Sequence, residues 1–396
     1  MTWEKEVKDI KKREELSLEH GGKESVKAHH QKGRKTLRER LSIILDDGSF
    51  QEVGKIAGES EYHENGELKD FTPANFLLGF GKINKRSIVI GGEDFTMKGG
   101  SPNSSGLRKS IYTEELALKY KIPLVRLHEG GGGSVAGAGG TAKKPTIPSG
   151  DAVFSKNRFQ ALAKCLGTIP VATAALGPVA GLPAARLVAS HFSVMTKNSQ
   201  VLIAGPAVVK RALGIDITKE DLGGPNVHLK SGAVDNLAEN EDDALNQIKI
   251  FLSYLPNNYL ELPPKQETKD KRNRTENELL TIIPKERRKT YDVRKLLSLI
   301  LDLNSFFEYG KFYGSSLITG LATLDGQPVA ILSNDCRIYA GAMTASASIK
   351  LRRFIDFANT FNIPVLSFVD EPGFMIGPDS EKAGTIRHGT SAISAL

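Results

Sequence analysis

Cysteine is nearly absent from this chain of 396 residues: it has two, Cys165 and Cys336, far apart and in apolar surroundings. No CxxC and no Cys/His cluster accompanies them, so neither a disulfide framework nor a zinc site is suggested, and a reducing compartment is expected. Long apolar runs are missing too. The longest apolar segments meet Gly, Pro or a charge well before the roughly 18 to 20 residues that a membrane span needs. The eight histidines are scattered, and no GxSxG, HExxH or Walker loop occurs, so neither side-chain acid/base machinery nor a resident metal is expected. Residues 1–22 mix Glu4, Glu6, Asp9, Glu14 and Glu15 with lysines, a composition that fits neither an apolar secretory signal nor an acid-poor transit peptide. The expected location is cytoplasmic, with the mitochondrial matrix as the alternative.

What is present is an ordinary globular composition, 40% apolar and 25% charged, with enough chain for two cores of domain size. The net charge of +7 gathers in residues 23–40 and 265–289. Glu267, Asp270, Glu276 and Glu278 interrupt the second run, and no aromatic side chains interleave with it over residues 265–278. That pattern reads as a solvated linker or helix face and not as a nucleic-acid surface. A modest positive field suits an anionic small substrate.

An internal repeat organises the chain. Residues 79–94 (GFGKINKRSIVIGGED) match residues 320–335 (GLATLDGQPVAILSND) at an offset of 241. Without a gap, Gly100 meets Gly341, Lys109 meets Lys350, Ile122-Pro123 meets Ile363-Pro364 and Glu129 meets Asp370. Upstream, residues 42–52 (SIILDDGSFQE) match 298–308 (SLILDLNSFFE) at an offset of 256, so the first copy carries 15 extra residues, assigned to the polar stretch around Glu59–Asp70. In each copy a helix (Leu37–Leu45, Val293–Leu301) precedes two strands joined by a turn at Asn84-Lys85 or Asp325-Gly326. A second helix follows (Ser105–Tyr120, Ala345–Phe361). Then come the runs Leu124–Leu127 and Val365–Val369, of the kind buried on both faces of a sheet. The order predicts an α/β layered fold with ligands at the carboxyl ends of the strands. The first copy continues through a helix Asn157–Leu166, a strand Pro170–Ala175, a helix Ala184–Ser190 and a strand Val201–Ile203. The counterparts of Gly177 and Gly181 fall at 418 and 422, beyond Leu396, so the second copy is expected to be incomplete. The expected organisation is an N-terminal helical extension (1–28), a first domain (29–262), a charged linker (263–289) and a partial second domain (290–396).

Gly-rich turns end the strands of the first copy, at Gly99-Gly100-Ser101, Gly130–Gly133 and Gly177–Gly181. Such turns let backbone approach a ligand closely, and backbone N–H groups can hold a phosphate or a developing oxyanion. Any one of them also suits a tight turn that needs positive φ, but three after successive apolar runs point to a shared site. Glu129 and Asp370 stand at strand ends, where an acid serves catalysis or caps a turn.

Residues 30–40 (HQKGRKTLRER) and 45–50 (LDDGSF) resemble the opening of the carboxyltransferase subunits of biotin-dependent acyl-CoA carboxylases, the propionyl- and methylcrotonyl-CoA carboxylase β chains. The likeness continues through 92–96 (GEDFT), 99–101 (GGS), 177–181 (GPVAG), 222–224 (LGG) and 231–232 (SG). In the second copy it covers 362–364 (NIP), 368–374 (FVDEPGF) and 384–389 (GTIRHG). The resemblance implies two tandem crotonase-like (ClpP/crotonase) spiral ββα domains, the second truncated, with the first holding acyl-CoA and the second receiving carboxybiotin. It implies a homo-hexamer or other homo-oligomer, with active sites between neighbouring subunits, and a partner biotin carboxyl carrier or biotin carboxylase subunit. No MKM biotin-attachment sequence occurs, so biotin is expected on a separate chain. By the same resemblance Gly181 and Leu182 donate to the thioester oxygen. Gly99, Gly100, Ser101, Gly130, Gly131, Gly132 and Gly133 shape the CoA channel, and Gly373, Phe374 and Gly377 line the biotin side. The family usually has two glycines where this chain reads Gly181-Leu182, and commonly an acid where it has His191. A sodium-pumping acyl-CoA decarboxylase and a non-catalytic CoA-binding paralogue stand as alternatives.

Overall fold

The computed structural model describes residues 2–132, 158–286 and 288–396. These fall into two compact units, residues 1–227 with 237–249, and residues 228–236 with 250–396. The first unit begins with helices α1 (Glu4–Leu16), α2 (Lys23–His30) and α3 (Leu37–Ile44). The third is fixed by a capping box in which the Thr36 hydroxyl accepts from the Glu39 N–H while the Glu39 carboxylate accepts from the Thr36 N–H, pairing two donors that a helix start otherwise leaves bare. Leu37, Arg40, Leu41 and Ile44 form its buried face, the three-and-four spacing of an amphipathic helix.

Strand β1 (Gln51–Glu52) is followed by an antiparallel hairpin, β2 (Gly58–Tyr62) and β3 (Leu68–Pro73), in the stretch where the sequence carries its extra residues. Next come β4 (Phe76–Ile83), β5 (Arg86–Glu93), α4 (Ser104–Tyr120), β6 (Leu124–Gly130), α5 (Arg158–Leu166), β7 (Val171–Ala180) and α6 (Leu182–Val188). Then follow β8 (Phe192–Thr196), β9 (Gln200–Leu202), α7 (Pro206–Leu213), α8 (Lys219–Gly223), α9 (Pro225–Ser231), β10 (Asn236–Ala238) and α10 (Glu241–Ser253). The sheet runs β1-β4-β5-β6-β7-β8-β10, with β9 also on β7. β4 and β5 are antiparallel and β5 through β8 parallel. All seven residues of β6 are buried, as a strand flanked by two others and covered on both faces must be.

The second unit repeats the opening of the first. It holds α11 (Val293–Ile300), β11 (Phe307–Glu308), β12 (Leu317–Leu324), β13 (Gln327–Asn334), α12 (Ala345–Thr360), β14 (Val365–Phe368), α13 (Pro378–Lys382) and α14 (Thr385–Ile393), with sheet order β11-β12-β13-β14. The repeat holds at the level of single hydrogen bonds. Asp46 accepts from the N–H groups of Asn84 and Lys85 at 2.9 and 2.6 Å, and Asp302 from those of Asp325 and Gly326 at 3.0 and 2.8 Å. Both hairpin turns have positive φ at their two central residues, the geometry that matches strand twist. Asn103 caps α4 and Thr344 caps α12, and the Arg38–Glu52 ion pair recurs as Arg294–Glu308. One expectation fails. β14 is exposed or half-buried along its length, because among the described residues it pairs only with β13 and has no strand on its other edge.

Candidate functional site

Three strand ends of the first unit deliver their glycine turns to one place. After β5 the chain makes a tight turn over Lys98–Gly100, with φ of 53°, 60° and 69°. Gly100 lies directly against the end of β6: a Cβ there would sit 2.5 Å from the Glu129 carbonyl oxygen and 2.6 Å from Gly130 Cα, and one on Gly130 would sit 2.8 Å from the Gly100 oxygen. Two bare glycines are what allow the turns to stack. The Gly131 N–H donates to Gly99 O at 3.2 Å and the Ser101 hydroxyl to Gly132 O at 3.1 Å. A Cβ on Gly132 would stand 3.3 Å from Gly181 Cα and 3.4 Å from the Leu182 nitrogen. The predicted residues Gly99, Gly100, Ser101, Gly130, Gly131 and Gly132 therefore form one cluster with Gly181 and Leu182. Gly133 lies outside the described residues.

The two residues expected to donate are not equivalent. Gly181 has φ 68° and ψ −128°, a conformation open essentially to glycine alone. Its N–H donates to Leu202 O at 3.0 Å, extending the pairing of β7 with β9, so Gly181 is the pivot of the loop and not a donor. Leu182 opens α6, and its N–H has no acceptor among the described residues. Pro183 behind it has no N–H to offer. Of the two, Leu182 is therefore the residue whose N–H, beside Gly132, has no acceptor among the described residues.

Beneath the cluster lies a fully buried carboxylate. Glu129 Oε1 accepts from Arg34 Nη1 at 3.0 Å, while Oε2 lies 2.5 Å from Arg40 Nη2 and 3.5 Å from His29 Nε2 as ion pairs without hydrogen-bond alignment. Arg40 also forks onto Glu241 at 2.8 and 2.9 Å. A Cβ on Gly177 would be 2.4 Å from Glu129 Oε1, so the glycine in β7 makes room for the carboxylate. Burial opposes ionisation of Glu129, but the His29 and Arg40 contacts outweigh it and hold the group below the usual carboxylate range. A carboxylate kept ionised by cations is a poor proton acceptor near neutral pH. Glu129 is thus a strut of the site.

A second buried network anchors α6. Arg186 donates to Glu114 Oε1 and Oε2 at 2.5 and 2.6 Å and to Ser110 O. Arg126 reaches Glu114 at 3.1 Å and Ala189 O at 3.1 Å. Burial pushes Arg126 down to about 10. Beside them Glu93 faces His128 Nδ1 at 3.1 Å. Burial lowers the His128 pKa, and the nearby imidazole holds Glu93 below its usual range against desolvation. His191 is structural: its Nδ1 accepts from the Val171 N–H at 3.0 Å, and its Nε2 pairs with Leu166 O at 2.9 Å. Arg34, Arg40 and Glu241 were assigned no role from sequence, although the two arginines lie in the 30–40 motif.

In the second unit, Gly373, Phe374 and Gly377 share one loop. The Met343 N–H donates to Gly373 O at 3.0 Å, and Phe374 is 41% exposed with its ring over Gly389. Gly373 and Gly377 have φ of 117° and 111° with open space where a Cβ would stand. The loop is an accessible backbone platform with one aromatic ring. No cluster of His, Cys, Asp and Glu among the described residues has the make-up of a metal site.

Residues 28–396 match the carboxyl transferase domain family. The chain is 33% identical to the propionyl-CoA carboxylase carboxyltransferase subunit of Haloferax mediterranei, covering 100% of this chain and 75% of the relative. It is 34% identical to the methylmalonyl-CoA decarboxylase subunit alpha of Veillonella parvula (95% and 72%) and 31% identical to the human mitochondrial propionyl-CoA carboxylase beta chain (98% and 71%). Among solved structures, the hexameric transcarboxylase 12S with methylmalonyl-CoA and methylmalonic acid bound superposes with a TM-score of 0.88 at 31% identity, covering 100% of this chain and 76% of that one. A single-chain long-chain acyl-CoA carboxylase shares the fold at a TM-score of 0.81 and 24% identity, covering 98% and 38%.

Proposed function

The chain belongs to the carboxyl transferase domain family and has its crotonase-like α/β fold, and from that premise we propose that it transfers a carboxyl group between carboxybiotin and an acyl-CoA thioester. The observation that carries the reading is the convergence of three glycine turns beside the N–H of Leu182, which has no acceptor among the described residues. Acyl-CoA lies along Gly99–Ser101 and Gly130–Gly132 of the first unit, with the thioester oxygen accepting from Leu182 as it gains enolate charge. The buried acid beside these turns, Glu129, is locked by arginines, so the proton on the acyl α-carbon goes elsewhere. Carboxybiotin, carried on a separate chain, would supply both the carboxyl group and, through its ureido nitrogen, the base for that proton. Gly373, Phe374 and Gly377 of the second unit would hold its ring. That loop fits the flat ureido ring of biotin, because its two glycines leave backbone uncovered beside an aromatic face.

The relatives' activities and the hexamer of the transcarboxylase neighbour support a homo-oligomer acting on propionyl- or methylmalonyl-CoA. The similarity to a methylmalonyl-CoA decarboxylase subunit is the same transfer run in reverse. The test is carboxyl transfer from methylmalonyl-CoA to free biotin, with acyl-CoA formation followed by chromatography, using the chain in its native oligomer with its partners. Turnover that saturates in both substrates is expected. Tight acyl-CoA binding with no transfer in either direction would leave a CoA-binding protein and overturn the reading.

A further inference from the structure

The repeat places a lysine at the same point of both units, but only the first copy gives it a counter-ion. Lys109, on α4, lies 3.4 Å from Glu52 Oε1 and donates to Gly54 O at 3.1 Å. In the second unit the carboxylate equivalent to Glu52 is Glu308, and Arg294 takes it with a fork of 2.5, 2.9 and 3.1 Å. Lys350, on α12 and 6% exposed, donates to Leu317 O at 2.7 Å and has no carboxylate within ion-pair distance among the described residues. A buried ammonium without a counter-ion is disfavoured even when it donates to a carbonyl.

Lys350 also lines a cavity of about 140 Å³, walled by Gly232, Asp235, Tyr309, Tyr313 and Arg353. Arg353 does not supply a free charge there, because it is forked onto Asp235 at 2.5 and 3.2 Å over the Tyr309 ring. The uncompensated group of the cavity is the lysine. We propose that this cavity is a binding site for a small oxyanion of the carboxylate or bicarbonate class, whose oxygen takes on Lys350 the place that Glu52 holds on Lys109. The inference concerns the second unit alone and does not rest on the carboxyl-transfer reading. Desolvation brings Lys350 down to about 7, against the pull of Glu308 and Asp235 and with the push of Arg294. An anion seated on it restores the ammonium, so binding at pH 8 takes up about one proton.

Calorimetric titration of the full chain at pH 8, in two buffers of different ionisation enthalpy, reads both affinity and proton uptake. Acetate, bicarbonate and inorganic phosphate serve as probes. Saturable binding of acetate or bicarbonate with uptake of about one proton is expected, and Lys350→Met should weaken it at least about tenfold, while Lys109→Met leaves it unchanged. Lys350→Arg, which stays charged, should bind without proton uptake and decides the matter if the methionine variant does not fold. Binding confined to phosphate overturns the carboxylate assignment. No saturation below about 0.1 M, a scale set by the weakest specific affinities, or uptake that survives Lys350→Arg, overturns the site.

Discussion

Leu182→Pro deletes one hydrogen atom from the proposed oxyanion site and little else. The Leu182 N–H has no acceptor among the described residues, so no internal hydrogen bond among them is lost. Leu182 is the first residue of α6, where the fixed φ of proline is well tolerated. Proline also restrains the residue before it, but Gly181 at φ 68° and ψ −128° mirrors the extended conformation that precedes proline, and glycine adopts either hand. Gly132, the neighbour of this nitrogen, has no side chain to meet the ring. Removing a single oxyanion donor typically costs about 2.7 to 4 kcal/mol, a fall of roughly 10²- to 10³-fold in kcat. KM for the acyl-CoA should change little, because the donor acts on charge that develops after binding. Leu182→Ala keeps the N–H and serves as the control, retaining kcat within about threefold. The assay is initial-rate carboxyl transfer from methylmalonyl-CoA to biotin over a range of acyl-CoA concentrations, with circular dichroism to verify folding. Leu182→Pro folded and within tenfold of Leu182→Ala would refute the assignment of this N–H.

Gly100→Ala should lower the thermal midpoint well beyond Gly66→Ala. Both have positive φ, but only at Gly100 does a Cβ strike backbone, 2.5 Å from Glu129 O, whereas Gly66 faces open space. Glu114→Gln leaves Arg126 and Arg186 buried with a weakened partner; a loss of about 3 to 5 kcal/mol is expected in urea unfolding, as for other broken buried pairs. Glu129 has a folded pKa below its usual value of 4.5. Its contribution to stability is present above that pH and lost as pH falls through the lower folded value. His128, whose pKa burial lowers from 6.5, adds to the loss below that pH, because the unfolded chain binds the proton more readily. Glu129→Gln should therefore flatten the acid limb of a midpoint-against-pH curve below about pH 4.5, and an unchanged slope would remove Glu129 from the account.

Much of this architecture is legible in sequence because it rests on short-range signals. Caps, hairpin turns and helical periodicity act over a few residues, and the 241-residue offset let each copy vouch for the other. The turn at Asn84-Lys85 is predicted beside its twin at Asp325-Gly326, and each closes on the equivalent aspartate just after the preceding helix, Asp46 or Asp302. The cluster of glycine turns followed from a general rule, that ligands meet parallel strands at their carboxyl ends. Signals that span the chain were silent. Arg40 finds Glu241 across 201 residues, and no local pattern marks either. The strand Phe192–Thr196 was missed because a short apolar run directly after a helix has no turn residues to separate it from that helix. The exposure of β14 was hidden for a related reason: burial belongs to the neighbours, and composition cannot say whether a strand has one or two.

The oxyanion donors show where the limit falls. A glycine turn announces that backbone is accessible, yet a backbone N–H has no side-chain signature, and its availability depends on which strand lies beside it. From the resemblance, Gly181 and Leu182 are expected as a pair of donors, and nothing in the sequence separates them. The pairing of β7 with β9 separates them, since Leu202 O occupies the Gly181 N–H and leaves Leu182 as the proposed donor. Backbone conformation explains why the second position tolerates a side chain. Glycine is required where φ is positive, at 181, whereas a residue in helical conformation at 182 needs only its N–H and room for its side chain. On the proposed reading the departure from two glycines is compatible with the role of the loop, and substitution at 182 should alter acyl-chain preference through the leucine side chain before it alters the rate through the backbone.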